Sequence, residues 1–230
     1  MLPPDLPRGP GGLAVGFDLD LTLADTRRGI GACFEALVAE TGVSIDIPTV
    51  LGRLGPPLEH ELSYWFPASE VDAMAARYRA MYGGIAVPAS EAMPGASAAI
   101  EAVRALGGRT VVVSAKNERH ARATVEFLGL PVDEVVGGLF AAAKGVALRE
   151  HGVSVYVGDH TADVDAARAA EAHSVGVATG PFDAEALRAY GADVVLPDLV
   201  AFPDWFALRP SGGLNPYPPG PDGVRPRAMA

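Results

Sequence analysis

The 230-residue chain has a single cysteine, few aromatic residues (7%) and a shortage of positive charge, with 18 Lys and Arg against 28 Asp and Glu. With Cys33 alone, no intrachain disulfide can form, and a reducing, cytoplasmic compartment is the expectation. The formal net charge of -10, with no Lys/Arg run, excludes the basic patch that nucleic acid or an anionic membrane surface requires. No stretch approaches the run of about 18 apolar residues of a membrane span, and the Pro/Gly-rich start, Met1 to Gly12, has no apolar leader core. What is present is 49% hydrophobic residues, ample for one large α/β domain or a core domain with a small insert. An anionic substrate would have to be managed locally, by a metal and a few placed cations.

The chain divides into two rhythms. A short apolar strand is predicted over Leu13 to Asp18, followed by a helix over Arg27 to Glu40 with Thr26 as its cap and Gly42 at its end. Helical segments follow around Leu58 to Phe66 and Ser69 to Met81, separated by Gly55-Pro56-Pro57 and Pro67. Residues 27–92 therefore read as a mainly helical insert. From Pro94-Gly95 onward helices and strands alternate. The strands are expected at Arg109 to Ser114, Val135-Val136, Ser154 to Val157, Ser174 to Val177 and Asp193 to Leu196. That rhythm predicts a three-layer, Rossmann-like α/β sandwich with a parallel sheet, residues 13–26 and 93–208 forming the core. Residues 1–12 and 209–230, rich in Pro and Gly and without periodicity, are expected to be disordered.

Open parallel sheets bind ligands at the carboxyl ends of their strands, and polar residues gather at those ends here. Asp18 and Asp20 follow the first strand, Ser114 closes the second, and Asp159 and Asp163 follow Tyr156-Val157-Gly158. Lys144 opens a nearby helix. Carboxylates from two strand ends suit Mg2+, a hard cation that takes one or two protein carboxylates together with phosphate and water. A carboxylate nucleophile suits phosphoryl transfer, because water can then cleave the acyl phosphate it forms. Such a reaction needs a proton donor for the leaving oxygen and a base for the water, and Asp20 can serve as both. Donors and cations must also face the transferred oxygens, and Ser114 and Lys144 are the available candidates. Taken singly, each of these residues has an ordinary explanation as a polar loop, a cap or a solvated lysine.

Together, the order Asp18-x-Asp20-x-Thr22, Ser114, Lys144, Gly158-Asp159-x-x-x-Asp163 resembles the four motifs of the haloacid dehalogenase-like hydrolases, specifically their aspartate-based phosphatases. The resemblance runs from about Leu13 to Leu196. It implies Asp18 as nucleophile and metal ligand, and Asp20 as acid/base whose backbone carbonyl also binds metal. Ser114 and the Ala115 backbone would hold the phosphoryl oxygens, Lys144 would neutralise charge, and Asp159 and Asp163 would ligate Mg2+. It further implies that the helical insert is a cap that selects a small phosphorylated substrate. Within that insert, Gly52-Arg53-Leu54-Gly55-Pro56-Pro57-Leu58 is similar to the cap loop of phosphoglycolate phosphatase-like members, which makes Arg53 the candidate substrate contact.

The chain departs from the family pattern at Leu21, usually Gly, at Ala115, at Gly145, where Pro is frequent, and at His160, where Thr is common. Asp20 argues against a dehalogenase. A sugar phosphomutase, a non-catalytic interaction module and a receiver domain remain competing readings, and no sequence feature sets the substrate or an oligomeric state.

Overall fold

The computed structural model describes residues 12–208; the expectation of disordered ends therefore lies, but for Gly12, outside the described residues. A six-stranded sheet forms the centre of the molecule, built from β1 (Ala14–Phe17), β4 (Arg109–Val113), β5 (Glu134–Val136), β6 (Val155–Gly158), β7 (His173–Val177) and β8 (Val194–Leu196). Its order is β5-β4-β1-β6-β7-β8, and every pairing is parallel. β1 thus lies inside the sheet, between the strands that precede Ser114 and Asp159.

The strands alternate their side chains between two cores, as the period of two demands. Val15, Phe17, Val112, Val155 and Val157 pack against α5 (Ala96–Ala105), α6 (Glu118–Phe127) and α10 (Phe202–Ala207). Ala14, Val111, Val113 and Tyr156 face α7 (Ala142–Glu150) and α8 (Thr161–Ala170) on the other side. α9 (Ala184–Tyr190) connects β7 to β8. Helices on both faces give the three-layer sandwich that the sequence predicts.

Between β1 and β4 the chain leaves the sheet. A two-residue strand β2 (Ala24–Asp25) pairs antiparallel with β3 (Glu91–Ala92), and between them lie α1 (Arg27–Thr41), α2 (Ile47–Leu51), α3 (Leu58–Leu62) and α4 (Val71–Ile85). These helices bury their own apolar cluster, centred on Phe34, Leu37, Leu62, Met74 and Tyr78, separate from the two cores of the sheet. Each fully buried side chain of that size contributes about 1.5–3 kcal/mol, enough to hold a small layer together.

Local details correct the sequence reading at several places. Thr26 does not cap α1 through its side chain; its hydroxyl donates instead to Asp20 Oδ1 at 2.5 Å. Gly42 does end that helix, in the left-handed conformation, its N–H donating to the Val38 carbonyl. The segment expected to be helical through Phe66 is α-helical only to Leu62. Beyond it, Tyr64 N and Trp65 N donate to carbonyls three residues back, tightening the chain into turns before Pro67. The α2, α10, β2 and β3 segments are additions to the elements that the sequence predicts.

Candidate active site

Four side chains converge where β1 and β6 end. Asp18 follows β1 directly and is buried, and Lys144, in the first turn of α7, reaches across to it. The Lys144 ammonium donates to Asp18 Oδ1 at 2.9 Å, to Asp163 Oδ1 at 2.7 Å and to the Tyr156 hydroxyl at 3.0 Å, satisfying its three donors. Tyr156 in turn donates to the Val113 carbonyl at 2.6 Å, tying the lysine to the strand end that carries Ser114. Gly145 makes this reach possible. A Cβ there would fall 2.7 Å from the Ala169 methyl, so a larger residue would push α7 away from α8.

Asp159, after β6, accepts a hydrogen bond from the Thr22 hydroxyl at 2.7 Å. Asp163 is the third residue of α8. Its Oδ2 accepts from the His160 backbone N–H at 3.1 Å while His160 Nδ1 accepts from Ala162 N at 2.9 Å, a reciprocal cap. The Asp163 side chain therefore both starts its helix and faces Lys144.

Carboxylate oxygens of Asp18, Asp159 and Asp163 all lie within 4.8 Å of one another, and all three residues are buried. Three acids against one ammonium leave two negative charges in excess if all are ionised. The strain shows in the protonation. Burial, with the neighbouring Asp163 and Asp20 charges, pushes Asp18 up to about 6 although Lys144 pulls it down. Burial and the charges of Asp18 and Asp163 push Asp159 well above the ordinary carboxylate range. An all-oxygen, buried, over-negative cluster fits a divalent cation, whose charge would offset that repulsion.

Asp20 sits beside this cluster and is held by two donors, the Thr26 hydroxyl and the Lys116 ammonium at 3.1 Å from Oδ1. Lys116 is buried and also donates to the Tyr82 hydroxyl at 2.6 Å, with its ammonium 4.4 Å from the centre of that ring. Ser114 is buried at the end of β4, its Oγ accepting from Lys116 N at 3.3 Å. Leu21 adopts φ 62; its N–H donates to the Ala24 carbonyl and its own carbonyl accepts from the Thr179 hydroxyl at 2.6 Å. The following Gly180 passes so close to Asp159 that a Cβ would overlap its carboxylate.

A cavity of about 100 Å3 opens from Asp20, Ala115 and Lys116 up into the helical layer. Arg53 lines it, but its guanidinium is engaged: Nε and one terminal nitrogen each donate to Glu61 at 2.7 Å.

Asp18, Ser114, Lys144, Asp159 and Asp163 thus come together at the strand ends, with Asp20 and Ala115 alongside, while Arg53 reaches the cavity from the helical layer, paired with Glu61. Lys116, Tyr156, Tyr82 and Thr179 join the site beyond the residues that the sequence motifs mark. Lys116 and Tyr156 carried a signal, since each stands within three residues of a motif aspartate or serine. Tyr82 and Thr179 carried none, because only the tertiary fold brings them near.

An open parallel sheet with acids and one lysine at its carboxyl edge, and helices inserted after its first strand, defines a ligand-binding α/β enzyme class. The family comparison makes it specific. Residues 15–168 match the family model of haloacid dehalogenase-like hydrolases, and residues 137–202 match a second model of HAD-hydrolase-like proteins. The chain belongs to the haloacid dehalogenase-like hydrolases. It is similar to a phosphoglycolate phosphatase of Rhodospirillum rubrum, with 30% identity over 225 residues covering 87% of this chain and 93% of that protein. Among solved structures, a haloacid dehalogenase-like hydrolase from Streptococcus pneumoniae superposes with a TM-score of 0.75 at 23% identity, covering 84% of this chain and 98% of the other. A hydrolase from Pseudomonas syringae does so with a TM-score of 0.71 at 18% identity, covering 85% and 97%. At those identities the two structures speak for the fold. Among the described residues no helix is long and apolar enough to cross a membrane.

Proposed function

We propose that the protein is a Mg2+-dependent phosphomonoester hydrolase acting on a small phosphorylated metabolite through an aspartyl-phosphate on Asp18. The observation that carries this reading is the buried meeting of Asp18, Asp159 and Asp163 with Lys144 at the carboxyl edge of the sheet. The activity is the one its Rhodospirillum rubrum relative is named for, at the level of phosphate-ester hydrolysis.

In the first step a carboxylate oxygen of Asp18 attacks phosphorus as the ester oxygen departs, and Asp20 gives that oxygen its proton. In the second, Asp20, now ionised, takes a proton from water, the water oxygen attacks the phosphorus of the acyl phosphate, and Asp18 is regenerated with inorganic phosphate. Lys144, Ser114 and the Ala115 backbone face the charge that builds on the transferred oxygens. Asp18, Asp159, Asp163 and the Asp20 carbonyl would hold Mg2+, which supplies charge neutralisation and alignment of the phosphoryl group. Lys116 and Thr26 hold the Asp20 carboxyl at the mouth of the cavity, where a leaving group would sit. The helical layer, residues 27–92, serves as the cap over that cavity.

Initial rates of p-nitrophenyl phosphate hydrolysis with Mg2+ test the reading. Asp18→Asn is expected to lower kcat by at least ~10^4-fold while the fold, followed by circular dichroism, persists. An unchanged rate in that variant, or no turnover by the native chain across a broad panel of phosphate esters, would overturn it.

A further inference from the structure

The cavity above Asp20 is where the part of the substrate that is not phosphate must lie. Its wall is largely apolar, with Ile30, Phe34, Val50, Leu54 and Leu58 contributed by the helical layer. Three cations also border it, Arg53, Arg79 and Lys116, and each already faces a carboxylate.

Arg53 is the most firmly committed. Two of its five N–H donors match the two oxygens of Glu61 at 2.7 Å, a fork-to-fork pairing, and the guanidinium stacks 4.1 Å from the centre of the Tyr64 ring. Glu61 is fixed in turn by Trp65, whose indole N–H donates to Oε1 at 2.7 Å. A substrate carboxylate meeting the remaining N–H groups of Arg53 would find the guanidinium charge already offset by Glu61, and displacing Glu61 would mean breaking three donor contacts. Arg79 meets Glu59 at 2.6 Å, and Lys116 is shared between Asp20 and Tyr82. Among the described residues no other group on the wall supplies a cation. Asn117 is neutral, and His120, stacked on Tyr82, is kept from protonating by burial and by the positive charge of Lys116, Arg119 and Arg79.

We infer that the leaving group taken by this enzyme is uncharged and apolar-bodied, and that the Arg53–Glu61 pair is the element that turns away substrates carrying a second anion. This rests on the phosphatase reading and narrows its substrate class. The physical ground is that a carboxylate brought into this cavity loses its water and finds no unpaired cation among the described residues, whereas a hydrocarbon leaving group gains contact with the apolar wall.

The pair of isobutyl phosphate and phosphoglycolate tests it, because the first places two methyl groups where the second has carboxylate oxygens. With Mg2+, the native enzyme is expected to give a kcat/KM at least about tenfold higher for isobutyl phosphate. Glu61→Gln, which keeps an acceptor for Trp65 but removes the charge facing Arg53, is expected to shift the ratio toward phosphoglycolate by about tenfold. A native preference for phosphoglycolate overturns the inference, and so does a ratio unmoved in a folded Glu61→Gln. Should that variant not fold, the native ratio decides alone. Turnover of p-nitrophenyl phosphate by the native enzyme separates these failures from failure of the phosphatase reading; its absence removes both.

Discussion

The charged pairs of the sheet edge and those of the helical layer are made in opposite ways. Lys144 and Asp18 are 126 positions apart in sequence, buried, and part of a cluster with more acid than base. Arg53 and Glu61 are 8 apart, half-buried and balanced one to one. A cluster built from distant segments exists only when the whole sheet is assembled, and its surplus charge has to be met by something that binds. A pair built from neighbours forms with its own helices and needs nothing more. The proposed chemistry would thereby lie in the part of the fold hardest to alter, and the proposed selection of the leaving group in the part easiest to retune.

Lys144→Met takes the ammonium out of the contacts with Asp18 and Asp163. Removing one partner from a buried ionic cluster is expected to cost about 3–5 kcal/mol, measured by urea unfolding of the metal-free protein. A loss under 1 kcal/mol would mean that the acids are not held by the lysine. Next in size is the response to Mg2+. At a hundredfold excess over its Kd the ion is expected to stabilise the chain by roughly 2.7 kcal/mol, with no gain in Asp159→Ala. The sign of the pH dependence follows from Asp18, whose pKa is raised to about 6 without metal. Below that pH the ion must displace a proton, so the thermal shift should be larger above it than below.

A smaller effect is expected where the layers meet. Lys116→Met frees Asp20 from its ammonium, and kcat for an alkyl phosphate should fall roughly tenfold or more. p-Nitrophenyl phosphate, whose leaving group needs no proton, should fall far less. Equal losses on both substrates would assign Lys116 a general structural role. Smallest of all is Glu59→Gln, which breaks the exposed contact with Arg79 and is expected to shift stability by at most about 0.5 kcal/mol. A larger loss would show that the local pairs of the helical layer are not replaceable after all.

The alternating strands and helices of the second half were legible because each is long enough to show its period and is bounded by Gly or a polar turn. β2 and β3, two residues each, carry no period, and α2 is a single turn begun by Asp46, which accepts from Thr49 N. α10 begins with Phe202-Pro203, and its amphipathic run is too short to stand out. Of the site, the acids and Lys144 could be read because they stand at strand ends or helix starts. Thr26 could not: its hydroxyl had a local cap in reach, and the fold offered it Asp20 instead. Leu21 is similar, since nothing in the sequence says that a buried leucine will tolerate φ 62.

The β2–β3 ribbon has a consequence for how such a protein changes over generations. Asp25 lies opposite Glu91, so the chain departs for the helices and returns from them at neighbouring points. To the sheet, the 65 residues from Thr26 to Ser90 are a loop whose two ends already touch. Insertions, deletions or a wholesale exchange within that loop leave the register of β1, β4 and β6 as it was. A lineage can therefore rework the helical layer at a single seam, so long as Thr26 and Tyr82 remain to hold Asp20 and Lys116.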